Sequence, residues 1–369
     1  MKRGNTTKVI KIGGFSHIRP VYIGGNNPVV VQTMYKDRLS YSNIEDTAKK
    51  AETLEIMGCS LLRFAVPDIQ SAEILGRLAE MVKMPLAADI HFDYKIALRC
   101  MDFPIAKIRI NPGNIGEKEK VRAVLEKASK QNIPIRIGIN AGSLPADLRR
   151  QVDNGGIGIA EALVQAAKTE IAVFEEFHFK DYLVSMKASK IADNITANRL
   201  LSQVTDAPLH IGVTEAGPLT AGAVRNTAAL LTLLQEGIGD TIRVSLSDTM
   251  ENEIIAGKEI INAAAELAPE NKRLKRQGVT IISCPRCGRY GFDTCGFTNR
   301  WMSKLYALNK DITVAIMGCE VNGPEEAKHA DLGITGVGDK VLIFKHGKII
   351  KTTTADQADT IFEEELDKL

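Results

Sequence analysis

The chain has 369 residues, 44% apolar and 25% charged, enough to bury a sizeable core and to carry two domains, such as a barrel of about 250 residues plus a smaller unit. With 47 basic against 45 acidic residues and only 5% aromatics, it lacks both the global field and the stacking surface that nucleic-acid binding needs, so no nucleic-acid partner is expected. No apolar run nears the roughly 18 residues of a membrane span and the start MKRGNTTKVIKIGG lacks the apolar core of a signal peptide; a soluble, cytoplasmic protein with no membrane association is expected, whose six cysteines suit metal binding or catalysis better than a disulfide scaffold.

In chain order, strand-like runs are VVVQTM (29–34), LLRFAV (61–66), PLAADI (85–90), KIRINP (107–112), PIRIGIN (134–140), DYLVSMKA (181–188), PLHIGVTE (208–215) and DTIRVSLS (240–247). Helical stretches such as SNIEDTAKKAETLEIMG and EKEKVRAVLEKASKQN separate most of them. Eight alternating units predict an α/β fold, a TIM (β/α)8 barrel over residues 1–270 that binds the substrate. The long gap between the fifth and sixth runs predicts extra helices or a rim insertion. The basic run from Lys272 to Arg276 reads as an exposed end and linker. Beyond it, VTIISC and ITVAIMG read as strands, VLIFKHGKII as a hairpin turning at Gly347, and ADQADTIFEEELDKL as a closing helix: a small α+β domain over 271–369. The glycine-rich GGNNP (24–28) and GITGVGDK (333–340) fit no dinucleotide fingerprint and read as turns.

Barrel enzymes place their chemistry at the C-terminal tips of the strands, and here those tips are crowded with polar groups. They offer Gln32, Arg63, Asp89 with His91, Arg109 with Asn111, Arg136 with Asn140, Lys187 with Ser185 and Ser189, Glu215 with Thr214, and Arg243 with Ser245. The two-residue period of a strand puts Arg109 and Asn111 on one face, and likewise Arg136, Gly138 and Asn140. One arginine at a rim would read as an ordinary ion pair. Several at equivalent tips predict a compact polyanion, since a guanidinium presents a planar fork to phosphate oxygens; a diphosphate would match. Glu215 beside such cations is a candidate acid/base. His91 reads equally well as a structural hydrogen bonder.

Cys284 and Cys287 form C-P-R-C after one strand, and Cys319 follows another in GCEVNGPEEA. Zinc ribbons, iron-sulfur sites and redox motifs share such a pair. A fourth thiolate from Cys295 would give all-cysteine zinc or a conventional cluster. Glu326 as fourth donor would instead give a 4Fe-4S cluster with one exchangeable, non-sulfur corner. Cys59 and Cys100 read as buried structural residues in apolar helical surroundings.

Taken together, IGGNNPVVVQ, ADIHFDY, RINPGNIG, IRIGINAGSL, KAS, LHIGVTEAG, EGIGDTIRVSLS, ISCPRCGR and GCEVNGPEEA closely resemble, in order from about residue 9 to about 340, the bacterial two-domain 4-hydroxy-3-methylbut-2-enyl diphosphate synthase family. The resemblance implies an iron-sulfur oxidoreductase of the non-mevalonate isoprenoid pathway that reductively opens 2-C-methyl-D-erythritol 2,4-cyclodiphosphate with loss of water. It also implies a 4Fe-4S cluster fed by flavodoxin or ferredoxin, and a homodimer in which the cluster domain of one subunit closes over the barrel of the other. Carried over by position, the cluster ligands fall on Cys284, Cys287, Cys319 and Glu326. The diphosphate-binding residues fall on Arg63, Arg109, Arg136, Lys187 and Arg243, with Asn140 and Ser245 nearby, and the catalytic carboxylate on Glu215. The chain departs from the family pattern at TMYKDRLS, where SMTNTDT is common, and at Glu325, where NGPGEA has glycine. From residue types alone, a phosphate-binding transferase barrel of the pterin-binding kind with a structural zinc domain is the runner-up, and a zinc-knuckle nucleic-acid module the more distant rival.

Overall fold

A computed structural model describes residues 6–369 apart from Arg286, Tyr290, Asn309 and Glu320, and leaves the side chains of Val321 and Asn322 undescribed. The described residues divide into two compact units, one running through Lys275 and the other from Arg276 to Leu369.

The first unit opens with β1 (Ile10–Ile12) and β2 (Val21–Ile23), an antiparallel pair that the sequence reading did not include. The alternation buried, exposed, buried along IKI is that of a strand with one apolar face. Ile10, Ile12 and Ile23 pack against Leu61, Ala106 and Leu183, residues at the N-terminal ends of barrel strands, so the hairpin plugs the barrel floor. Each such isoleucine contributes roughly 1.5–3 kcal/mol by leaving water.

Eight parallel strands follow: β3 (Val30–Met34), β4 (Cys59–Ala65), β5 (Leu86–Asp89), β6 (Lys107–Ile110), β7 (Ile135–Asn140), β8 (Tyr182–Lys187), β9 (His210–Ile211) and β10 (Thr241–Ile242). They are hydrogen-bonded in the order β8-β7-β6-β5-β4-β3-β10-β9, and a parallel bridge from Val184 to Leu209 joins the two ends. The result is a closed parallel barrel. Its strands are buried on both faces, as helices outside and side chains inside require.

The outer layer is α1 (Ile44–Ile56), α2 (Ile69–Met81), α3 (Tyr94–Cys100), α4 (Pro112–Ile115), α5 (Lys118–Gln131), α6 (Ala146–Asp153), α7 (Ile159–Glu176), α8 (Ile191–Ser202), α9 (Leu219–Gln235) and α10 (Met250–Leu267). Local chemistry starts and stops them. Asp68 accepts a hydrogen bond from the Ser71 amide at 2.7 Å and so caps α2, whose Ala72, Leu75, Gly76 and Ala79 form the inward stripe at helical spacing. Asn132 ends α5 in the left-handed region at φ 54°. Helix α6 fills the long gap between β7 and β8, ahead of α7.

Two expectations are corrected here. Arg273 is no exposed linker residue: its guanidinium, 13% exposed, lies 3.1 Å from Asp240 and donates to the carbonyls of Gly237 and Gly239. Leu274 is buried as well. Arg273 and Leu274 therefore belong to the barrel floor, where Asp240 also accepts from Thr7 and from the Leu209 amide, while Lys272, Lys275 and Arg276 are exposed as expected. Cys59 opens a strand rather than sitting in helical surroundings; burial pushes its thiol, like that of Cys100, up to about 12.

The second unit contains β11 (Thr280–Ser283), α11 (Thr294–Ala307), β12 (Thr313–Ile316), β13 (Leu332–Val337), β14 (Lys340–Lys345), β15 (Lys348–Thr353) and α12 (Ala358–Leu366). Its sheet runs in that order, parallel through β13 and antiparallel beyond. Phe297, Trp301 and Phe362 clamp α11 to α12, with Phe362 centred 5.1 Å and 4.9 Å from the other two rings. Residues 333–337 of GITGVGDK are strand, not turn; only Gly338 beyond them takes a positive φ. Among the described residues no helix is long and apolar enough to cross a membrane.

Candidate active site

The C-terminal tips of the barrel strands converge on a cavity of about 230 Å³. Arg63 from β4, Arg109 from β6, Arg136 and Asn140 from β7, Lys187 from β8, and Arg243 and Ser245 after β10 all line it. Asp89, His91, Met34, Ser185 and Thr214 complete the wall. Parallel pairing puts Arg109 level with both Asp89 and Arg136, so a short stretch of three adjacent strands carries two guanidiniums and a carboxylate.

Room for these long side chains comes from glycine. A Cβ on Gly138 would stand 2.2 Å from Arg109 Nε, and one on Gly212 would stand 2.7 Å from Lys187 Nζ. Arg109 lies across the bare backbone of Gly138 and donates to its carbonyl at 3.0 Å.

The charge is unbalanced. Five cations line the cavity, and Asp89 among them receives Arg109 Nη1 at 3.1 Å and stands 3.6 Å from Arg63 Nε. Burial pushes the Asp89 carboxyl upward, yet Arg63, the His91 contact, Arg109 and Arg136 together hold it far below the usual carboxylate range. The cations show the converse. Burial, resisted by Asp89 and helped by Arg243 and Arg109, lowers Arg63 to about 10. Burial followed by neighbouring cations likewise lowers Arg136 and Lys187 well below their ordinary values. Nε and Nη1 of Arg136 are buried without a hydrogen-bond partner. Buried donors left open in this way are costly unless a ligand or water meets them, and an anion of two or more charges answers both the open donors and the mutual repulsion.

Glu215 sits apart from these residues. It is exposed at the rim, held at φ 53°, and its Oε2 accepts from Ser189 Oγ at 3.2 Å. It does not line the cavity, whereas its neighbour Thr214 does. His91 lines the cavity with Nε2 at 3.4 Å from Asp89 and 3.3 Å from Arg109 Nη1.

The sequence reading missed three buried groups. Glu253 of α10 holds Arg243, with Nη2 at 3.2 Å from Oε1. Lys107 donates to Gln32 Oε1 at 2.8 Å inside the barrel, and the buried His210 contacts Thr241 Oγ1 at 3.3 Å. Lys107 could have been found, because it precedes Arg109 by two and so shares its face. Glu253 carries no such signal: in the first turn of a helix it looks like Glu251, an ordinary acid at a positive helix end.

In the second unit, Cys284 and Cys319 follow the adjacent parallel strands β11 and β12, and the Cys284 amide donates to Ile316 O at 2.9 Å. Cys319 is buried and Cys287 exposed. The Cys319 carbonyl accepts from Thr335 Oγ1 at 2.8 Å and from the Gly323 amide at 3.0 Å, fixing the turn that leads to Glu326. Cys295 lies exposed at the start of α11. Among the described residues, no three His, Cys, Asp or Glu side chains are gathered closely enough to hold a metal ion. The backbone thus brings two thiol-bearing strand tips side by side, and the soft sulfur donors with one carboxylate suit iron-sulfur chemistry, while the four side chains are not drawn together.

Fold and site together define a barrel protein with a cation-lined pocket at its mouth and a cysteine-bearing α+β domain behind it in sequence. A family profile described as the GcpE TIM-barrel domain matches residues 10–258, and the GcpE protein C-terminal domain matches 280–368. The chain belongs to the GcpE family. It is 49% identical to a Treponema denticola protein over 93% of this chain and 91% of that one, and 48% identical to a Treponema pallidum protein over 97% and 91%. A Thermodesulfovibrio yellowstonii protein is 42% identical over the full length of both. All three are named 4-hydroxy-3-methylbut-2-en-1-yl diphosphate synthase (flavodoxin).

Proposed function

We propose that the chain forms 4-hydroxy-3-methylbut-2-enyl diphosphate, the product its relatives are named for, from 2-C-methyl-D-erythritol 2,4-cyclodiphosphate. Two electrons and two protons enter and one water leaves. One bond from carbon to a diphosphate oxygen breaks, and the diphosphate stays attached through its other end. The observation that carries this reading is the convergence of Arg63, Arg109, Arg136, Lys187 and Arg243 on one cavity.

These side chains bind and orient the diphosphate. The Arg136 guanidinium lines the cavity and offers phosphate oxygens a charged donor group. Asp89 fixes Arg63 and Arg109 from behind, so little side-chain freedom is lost when the anion arrives. Asn140 and Ser245 add neutral donors at the wall. As the ring opens, charge gathers on the released diphosphate oxygen, and guanidiniums already in place stabilise it without reorganising. Glu215, set at the rim by Ser189, holds the proton that departs with the hydroxyl as water.

Cys284, Cys287, Cys319 and Glu326 are the residues that would hold a 4Fe-4S cluster, which when bound supplies single electrons and a Lewis-acidic iron. Flavodoxin or ferredoxin is the proposed donor, and the working form is proposed to be a cytoplasmic homodimer.

Purification without oxygen tests the reading. The expected result is brown protein with about four irons per chain that forms the linear diphosphate from the cyclic one when given reduced flavodoxin. Colourless zinc protein without that turnover would overturn it in favour of a transferase barrel with a structural zinc domain.

A further inference from the structure

Four parts of the barrel rim meet on one buried carboxylate. Glu253 is 1% exposed. Its Oε2 accepts from Thr33 Oγ1 at 2.5 Å and from Arg243 Nε at 3.3 Å; its Oε1 accepts from Arg243 Nη2 at 3.2 Å and from the Leu246 amide at 3.0 Å. Lys36 reaches the same place from the loop after β3. Its ammonium stands 3.1 Å from Glu253 Oε1 and donates to the carbonyls of Leu246, at 2.8 Å, and Asp248. The loop after β10 is therefore gripped from two sides, through its amide by Glu253 and through its carbonyls by Lys36. That loop carries Ser245, and its Ser247 amide donates to Gly217 O at 3.0 Å, tying it to the turn that carries Glu215.

We infer that Lys36 is a positioning residue for diphosphate binding, strapping the loop after β10 and sharing Glu253 with Arg243. The inference rests on the reading of the cavity as a diphosphate site. An ordinary surface lysine paired with a mobile carboxylate contributes little. Lys36 differs: all of its acceptors belong to one loop and the buried acid that anchors that loop, and its side chain is only 28% exposed. Lys36 draws on the same carboxylate that holds Arg243, so Arg243, which lines the cavity, keeps more of its charge for an anion there. Without Lys36, Arg243 and Glu253 form a neutral pair, and Arg243 has less to offer an incoming anion.

The test compares the full-length protein with Lys36→Asn and Lys36→Arg by calorimetric titration with inorganic pyrophosphate, alongside thermal unfolding and steady-state turnover. The asparagine variant is expected to bind pyrophosphate about tenfold more weakly, with KM raised more than kcat is lowered. Its Tm should move by no more than about 2 °C, and the arginine variant should recover most of the binding. Binding unchanged in Lys36→Asn, or weakened only in proportion to a fall in Tm, would overturn the inference while leaving the cavity's role intact. Failure of the unmodified protein to bind pyrophosphate would overturn the diphosphate reading, and the strap with it.

Discussion

Arg109 can reach the cavity only because residue 138 has no side chain. A methyl group there would meet Arg109 Nε at 2.2 Å, and the guanidinium is pinned by Asp89 and the Gly138 carbonyl, so it cannot simply step aside. Gly138→Ala is expected to weaken pyrophosphate binding by about tenfold and to cost about 1–3 kcal/mol of stability through overpacking; titration and denaturant unfolding check both. Glu215 occupies a different position, on the rim rather than in the wall. Replacing it by glutamine should lower kcat by at least about a hundredfold while changing KM by less than about threefold. A rise in KM without loss of kcat would make Glu215 a binding group instead. Much of this was legible in the sequence, because a polar residue at the end of an apolar strand points along the strand's own period into the barrel mouth. Glu253 was not, since Thr33 comes to it only through closure of the ring, and Arg243, ten residues earlier, meets it across a loop whose course no hydrophobic period reveals.

Between residues and the whole chain stand the connections among elements, and one of them is sensitive to pH. Glu170 of α7 is 8% exposed, and burial pushes its carboxyl up to about 7 against the opposing Gly113 amide. Its Oε1 approaches Gly113 so closely that a Cβ there would lie 2.9 Å away. The folded chain thus keeps a proton on Glu170 that the unfolded chain releases near pH 4.3. Between those values the folded state binds more protons, so stability falls as pH rises through that window. Glu170→Gln should remove this slope, leaving the barrel about 1–3 kcal/mol more stable than the unmodified chain at pH 8 and no different near pH 4; urea unfolding at the two pH values measures it. Stability that falls equally in both proteins would contradict the assignment. At this scale the eight strand-and-helix units were readable from hydrophobic period, including β9 and β10, which are only two residues long and stand out by what surrounds them. The floor hairpin of β1 and β2 was not readable: three-residue strands give no period, and their burial depends on strands that lie later in the chain. Strand β13 was hidden by its glycines, one of which exists to make room for Phe344, whose ring a Cβ on Gly333 would enter.

For the whole molecule, two compact units divide the chemistry proposed for it. The barrel supplies positive charge in a rigid cavity and the second unit supplies thiols at neighbouring strand tips. In a chain of nearly balanced overall charge the cations are concentrated where five strands end, a property of closure rather than composition, and this local field is what the proposed diphosphate binding uses. The cysteine spacing predicts a metal-binding second unit, but spacing cannot say how far the side chains are drawn together, and among the described residues they are not. The most direct measurement is a crystal structure of oxygen-free protein soaked with 2-C-methyl-D-erythritol 2,4-cyclodiphosphate. The diphosphate is expected among Arg63, Arg109, Arg136, Lys187 and Arg243, with its oxygens on their guanidinium and ammonium groups. Diphosphate density elsewhere on the chain, with that cavity holding only water, would contradict the account.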